Sequence, residues 1–155
     1  HAAAIAGAVG VNLTAPMVLT HLFVAHFGGF RCDRVVINVS SGAGFRPMPG
    51  LSTYSTTKAG LNMFTAAAAA DDNSPRPVRF YALSPGTVDT DMQAALRKAG
   101  PERLREHETY TAWKENGELI APAEAADRIL SLLSQTDIEN GSYVHSRDLQ
   151  QGSAT

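Results

Sequence analysis

Residues 35–39 read Val-Val-Ile-Asn-Val, and this short β-branched run constrains the chain more than any other stretch. Successive side chains of a strand point to opposite faces, so a run that is apolar almost throughout suits a strand covered on both sides. That is the situation of a parallel sheet with helices on each face. The run ends in Ser40-Ser41-Gly42-Ala43-Gly44, and Tyr54 and Lys58 follow, four residues apart. The pattern predicts a strand that delivers hydroxyls to a loop, then a helix that presents a phenol and an ammonium on one face.

The flanking sequence extends this unit into an α/β alternation. Val9, Leu13, Met17, Leu22, Val24 and Phe27 recur at mostly three- to five-residue intervals. They predict a helix over 9–27 in which Pro16 bends or loosens the backbone and Gly28-Gly29 ends it. Residues 31–34 are a polar connection, and 40–53, with Gly42, Gly44, Pro47, Pro49 and Gly50, is a loop. A second helix should start at Ser52 or Thr53 and run through Ala70, with Leu61 and Phe64 on its apolar side. Its alanine run over 66–70 either lets another helix approach closely, as at a subunit interface, or only stabilises the helix. Residues 78–83 predict a second strand, ending in Ser84-Pro85-Gly86. Between 92 and 117 charged residues dominate, and two short amphipathic helices broken near Gly100-Pro101 fit the spacing of Met92, Leu96, Leu104, Tyr110 and Trp113. Pro122 opens a further helix with a buried stripe of Ala125, Ile129, Leu130 and Leu133. Asn140-Gly141 turns the chain into a last strand over 142–145, and a tail over 150–155 is expected to fray. The order describes one domain over 1–149, part of a doubly wound parallel sheet, in which ligands bind beyond the carboxyl ends of the strands.

Composition excludes several function classes. A chain of 155 residues with 44% apolar and 18% charged residues can bury a core. Its formal charge of −2 gives no ground for a nucleic acid or an anionic membrane as partner. The single Cys32 cannot form an intrachain disulfide and fits a reducing, cytoplasmic setting. The apolar run over 13–27 is too short to span a bilayer and carries Pro16, His21 and His26. His1, His21, His26 and His107 lack ligand spacing, so no metal site is expected.

A phenol beside an ammonium is a proton donor or acceptor suited to neutral pH. The Ser41 hydroxyl can hydrogen-bond an oxygen on which charge develops. This set has no histidine partner for a hydrolytic serine, and it suits proton transfer to or from an oxygen while a cofactor moves a hydride. A nicotinamide is therefore implied. Tyr-x-x-x-Lys alone is a common accident. The longer constellation is specific: a strand ending in Ser-Ser, thirteen residues from Ser41 to Tyr54, four to Lys58, then a second strand ending in Pro-Gly.

With Val36-Ile37-Asn38-Val39-Ser40-Ser41, Tyr54-x-x-x-Lys58 and Ser84-Pro85-Gly86-Thr87-Val88-Asp89-Thr90 in this order, the chain resembles the carboxyl-terminal part of a short-chain dehydrogenase/reductase. Asn12 falls where that family carries the helix Asn of its Asn-Ser-Tyr-Lys tetrad. Residues 85–93 and the charged segment after them are similar to sepiapterin reductases and their benzil-reductase-like relatives. The resemblance implies that Tyr54 is the general acid that protonates a carbonyl oxygen during reduction. Lys58 would make that proton easier to give up and hold the nicotinamide ribose, Ser41 would orient and polarise the carbonyl, and Asn12 would hold a backbone-bound water in a proton relay. Pro85, Gly86, Val88 and Thr90 would line the nicotinamide. The implied protein is a NADP(H)-dependent ketone or diketone reductase, with NAD(H) not excluded, acting on a small-molecule carbonyl substrate and assembling as a homodimer or homotetramer.

Two departures qualify that expectation. The family's glycine-rich Thr-Gly-x-x-x-Gly-x-Gly phosphate loop is missing, and His1 leads without an initiator methionine straight into Ala2-Ala3-Ala4-Ile5. We therefore expect a fragment lacking the amino-terminal βα units, inactive by itself. Sepiapterin reductases also anchor the pterin with an aspartate in the last strand, where this chain has His145, with Asp148 displaced. Two alternatives stay open: an inactive, truncated reductase kept as a dimerisation module, and an extended family member acting as epimerase or dehydratase, which the Pro-Gly-x-x-x-Thr loop so soon after Lys58 fits poorly. Tyr110 and Trp113 either close over a substrate or anchor their segment to the core.

Overall fold

The computed structural model describes residues 1–149; the expected fraying tail lies outside them. Three strands, β1 (Val35–Val39), β2 (Arg79–Ser84) and β3 (Tyr143–His145), form a parallel sheet in the order β1-β2-β3. Val35 pairs with Arg79 through to Val39 with Leu83, and Ala82 to Ser84 pair with Tyr143 to His145. Helix α3 (Ser52–Asp71) connects the first two strands, and α4 (Asp91–Lys98), α5 (His107–Glu115) and α6 (Pro122–Ser131) lie between the second and third. This is the expected α/β alternation, with strand ends displaced by about one residue.

The amino-terminal helix begins before the periodic pattern over 9–27, in the alanine-rich start that reads as helix interior or the end of a preceding segment. It starts as α1 (Ala2–Val9), widens into a π turn over Gly10–Thr14 and continues as α2 (Ala15–Phe27). Pro16 accounts for the widening. It has no N–H for the Asn12 carbonyl four residues back, and the Ala15 N–H goes instead to the Gly10 carbonyl. Joined, Ala2–Phe27 is 26 residues long and apolar enough by length and composition to cross a membrane, which corrects the count over 13–27. Packing helices of soluble proteins pass the same test, and this one lies along α3. Leu13 sits on Gly60, where an added Cβ would come within 3.2 Å of it. Most of its apolar residues nevertheless face outward: Val11 is 73% exposed and Leu22 59%, while Thr20 is its buried residue.

The core lies on both faces of β2. Tyr81 and Leu83 pack with Leu132, Val144 and Leu149 on one face, while Phe80 and Ala82 are buried on the other, as is Leu61 of α3. The stripe expected on α6 is corrected here. Ala125 is buried and Ile129 packs on the core, but Leu130 and Leu133 are exposed, and Leu132 is the residue that is buried. At 100° per residue, positions 125, 129 and 132 share a face and 130 falls well to its side.

Polar side chains splice the segments together. Asn140 accepts from the Phe80 N–H at 2.7 Å and donates to the Val78 carbonyl at 3.1 Å, so its amide continues the sheet before β3 begins. Gly141, at φ +86°, lies against Ala66 and Ala69, and a Cβ there would meet Ala69 at 2.9 Å. Small side chains in the alanine run are thus used within the chain, to seat this turn. Arg34, read in the sequence as part of a polar connection, is buried. Its guanidinium donates to the carbonyls of Phe27 and Gly28 at the end of α2 and to that of Arg76. It caps the end of α2, where the last carbonyls lack helical partners and that of Phe27 also accepts from the Phe30 N–H at 3.0 Å. Arg34→Met takes the guanidinium away from three carbonyls, of which that of Phe27 keeps the Phe30 N–H, and should lower the unfolding free energy of the full-length protein by about 2–4 kcal/mol, read from urea denaturation midpoints.

Candidate active site

Val39, Ser84 and His145 are the last residues of the three strands, and all three line one cavity of about 640 Å³. The parallel pairing leaves no alternative: the loops that follow the strands open at the same edge of the sheet. Ser41, Tyr54, Lys58, Pro85, Gly86, Val88 and Thr90 all border this cavity. Asn12 does not. It is half-buried in the π turn, which packs against α3.

A set of side-chain hydrogen bonds locks β1 to α3. Asn38 Nδ2 donates to Thr65 Oγ1 at 3.0 Å, and that hydroxyl donates to the Leu61 carbonyl. Ser40 Oγ donates to Asn62 Oδ1 at 2.5 Å. Lys58 Nζ donates to the Val39 carbonyl at 2.9 Å and lies 5.6 Å from the centroid of the Tyr54 ring. Burial pulls the Lys58 pKa below the ordinary lysine value. Ser41 is fixed differently: its Oγ accepts from the Ala43 N–H at 3.2 Å at the start of a short 3-10 turn. The hydroxyl hydrogen remains available to a ligand oxygen.

The loop after β2 is held on both sides. Ser146, buried beyond β3, donates from Oγ to the Pro85 carbonyl at 2.7 Å, and Asp89 N–H donates to Ile120 at 2.9 Å. Gly86 has φ +88°, a conformation that strongly favours glycine, and its missing side chain leaves the loop backbone bare toward the cavity. Asp89 accepts from Lys114 Nζ at 2.6 Å, with Arg97 at 3.9 Å, and the hydrogen bond from Lys114 holds its carboxyl below the usual range. This clasp ties α4 and α5 to the same loop.

Tyr110 is buried and its ring meets Trp113 edge-on, with centroids 5.3 Å apart. Both border the cavity, so the aromatic pair anchors α5 and walls the site at once. Arg46, Gln93 and Arg147 border it too, and sequence reading named none of them as site residues. The available signal was position: Arg46 and Arg147 each follow a strand end. Among the described residues no group of three or more His, Cys, Asp or Glu side chains could hold a metal.

His145 carries a pH dependence. Burial, then the Arg147 charge, pulls its pKa below the ordinary 6.5. Below pH 6.5 the unfolded chain takes up this proton while the folded chain resists, so stability falls as pH drops through that window and levels off below the folded pKa. His145→Gln should remove this component, seen as a shallower loss of stability between pH 7 and pH 5 in denaturant titrations of the full-length protein.

Similarities to known proteins agree with this geometry. A family model described as short chain dehydrogenase matches residues 1–100. The chain is 41% identical over 137 residues to the benzil reductase ((S)-benzoin forming) of Bacillus cereus, covering 88% of this chain and 55% of that protein. It is 32% identical over 136 residues to the sepiapterin reductase of Bos taurus, covering 86% and 49%. The crystal structure of the KRED1-Pglu enzyme superimposes with a TM-score of 0.81 at 29% identity, over 93% of this chain and 60% of that one. The chain thus spans about half the length of the curated relatives it matches. The matched sequence, the parallel sheet and its cavity at the strand ends together place this chain in the short-chain dehydrogenase family.

Proposed function

We propose that the protein to which this chain belongs is a NADP(H)-dependent reductase of ketones or diketones, working in the cytoplasm as a homodimer or homotetramer. The observation that carries this reading is the convergence of Ser41, Tyr54 and Lys58, from one strand end and the next helix, on a single cavity. The relatives named benzil reductase support the substrate class. The residues present suit a nicotinamide: Lys58 offers a donor for ribose hydroxyls, and the bare backbone at Gly86, with Pro85, Val88 and Thr90, offers a surface for a flat ring. When bound, the reduced cofactor supplies the hydride.

The chain's own residues do the rest. Ser41 donates its hydroxyl hydrogen to the substrate oxygen and fixes its direction. Tyr54 gives that oxygen a proton as negative charge builds on it. The Lys58 charge offsets the phenolate left behind. Asn12 enters through its backbone: Pro16 cannot donate to its carbonyl, which in this reading holds the water of a relay. His145, which burial keeps toward the neutral form, offers no carboxylate for a pterin ring, and an aryl ketone or diketone suits the apolar walls better.

With full-length protein, NADPH and benzil, Tyr54→Phe should cut kcat by about 10²–10⁴-fold while the KM for NADPH changes little. Turnover that survives this change would refute the reading. Lys58→Met should both weaken NADPH binding and slow turnover, and Ser41→Ala should lower kcat by about 10²-fold, each measured by steady-state kinetics.

A further inference from the structure

The cavity has a charge pattern that the reductase chemistry does not use. Arg46 borders it from the loop after β1, and Arg147 borders it from the turn after β3. No Asp or Glu is among the described residues that line it. The nearby carboxylate of Asp89 is already engaged by Lys114 and Arg97. Arg46 has no hydrogen-bond or ion-pair partner among the described residues, and Arg147 meets only the His145 ring, at 3.1–3.2 Å. The Arg46 charge acts on Tyr110 in the cavity wall. Burial raises the Tyr110 pKa and Glu106 adds to that, while Arg46 opposes it and Tyr54 is close enough to contribute.

Glu106 and Asp148 lie near enough to act on Tyr110 and His145 but neither pairs with these arginines, and two guanidiniums bordering one cavity are a recognition element for a planar anion, which arginine binds with paired hydrogen bonds. The other walls, with Met48, Leu51, Leu96 and Trp113, ask for an apolar body. We propose that Arg46 and Arg147 form an anion subsite, and that the substrate is an oxo acid with an apolar or aromatic body, its carboxylate on the arginines and its ketone oxygen toward Ser41 and Tyr54. This rests on the reductase reading and narrows its substrate class. It brings no new bond-forming step: the same ketone is reduced to the same alcohol.

The test compares phenylglyoxylate with its methyl ester, one ketone with and without the charge, using full-length protein and NADPH. The acid should be preferred at least tenfold in kcat/KM, chiefly through KM. Arg46→Met and Arg147→Met should each lower the acid-to-ester ratio about tenfold, and Arg46→Lys should restore part of it. Calorimetry gives a second readout: mandelate should bind the wild-type protein more tightly than mandelamide, and the double variant should lose the difference. An ester as good as the acid, or an unchanged ratio in both variants, overturns the proposal. So does a rise in the KM for NADPH at constant ratio, since the arginines would then serve a cofactor phosphate. If the ester and benzil are reduced without preference for the acid, the anion subsite falls and the reductase reading stands. If no carbonyl compound is reduced, both fall.

Discussion

The docking of α3 onto the end of β1 is the constraint on which the rest depends. Asn38 with Thr65, Ser40 with Asn62 and Lys58 with the Val39 carbonyl are three polar ties between one strand and one helix. They fix the helix along its axis as well as its distance from the sheet, which apolar packing alone would leave freer to slide. Ser41 and Tyr54 are thirteen residues apart, with a glycine- and proline-rich loop between them. A ladder that sets the position of Lys58 sets that of Tyr54 one turn earlier, and so determines where the phenol stands relative to the serine. Gly44 belongs to the same lock, since a Cβ there would meet Asn62 Nδ2 at 2.6 Å.

The second constraint is the loop after β2. It is held by Ser146 on one side and Ile120 on the other, with Asp89 binding the lysine of α5 and facing the arginine of α4. Elements far apart in sequence are thereby referenced to one backbone segment. The wall built from Tyr110 and Trp113 is thereby positioned relative to the strand ends.

Much of this was legible in the sequence because the signals were local. The β-branched run at 35–39, the Tyr54 and Lys58 spacing and the Ser84-Pro85-Gly86 junction each depend on a few neighbouring residues, and each is where it was expected. What was not legible depends on contacts between distant segments. Arg34 reads as a surface charge until the end of α2 and residue 76 meet around it. Leu130 and Leu133 fit a stripe only if the helix phase is off by one position, and Leu132 shows the true phase. Arg46 and Arg147 are about a hundred residues apart, and only their places after strand ends hint that they share a cavity. The exposed apolar face of the first helix has the same origin: its pattern announces burial, while α3 covers only one side of it among the described residues.

The central claim is that Ser41 and Tyr54 act on one oxygen as a unit. A double-mutant cycle on the full-length protein tests it most directly, with kcat/KM for a diketone measured for wild type, Ser41→Ala, Tyr54→Phe and the pair. If both groups serve the same developing charge, the double variant should lose little more than Tyr54→Phe alone. Losses that multiply in full would contradict the account, because the two hydroxyls would then act independently.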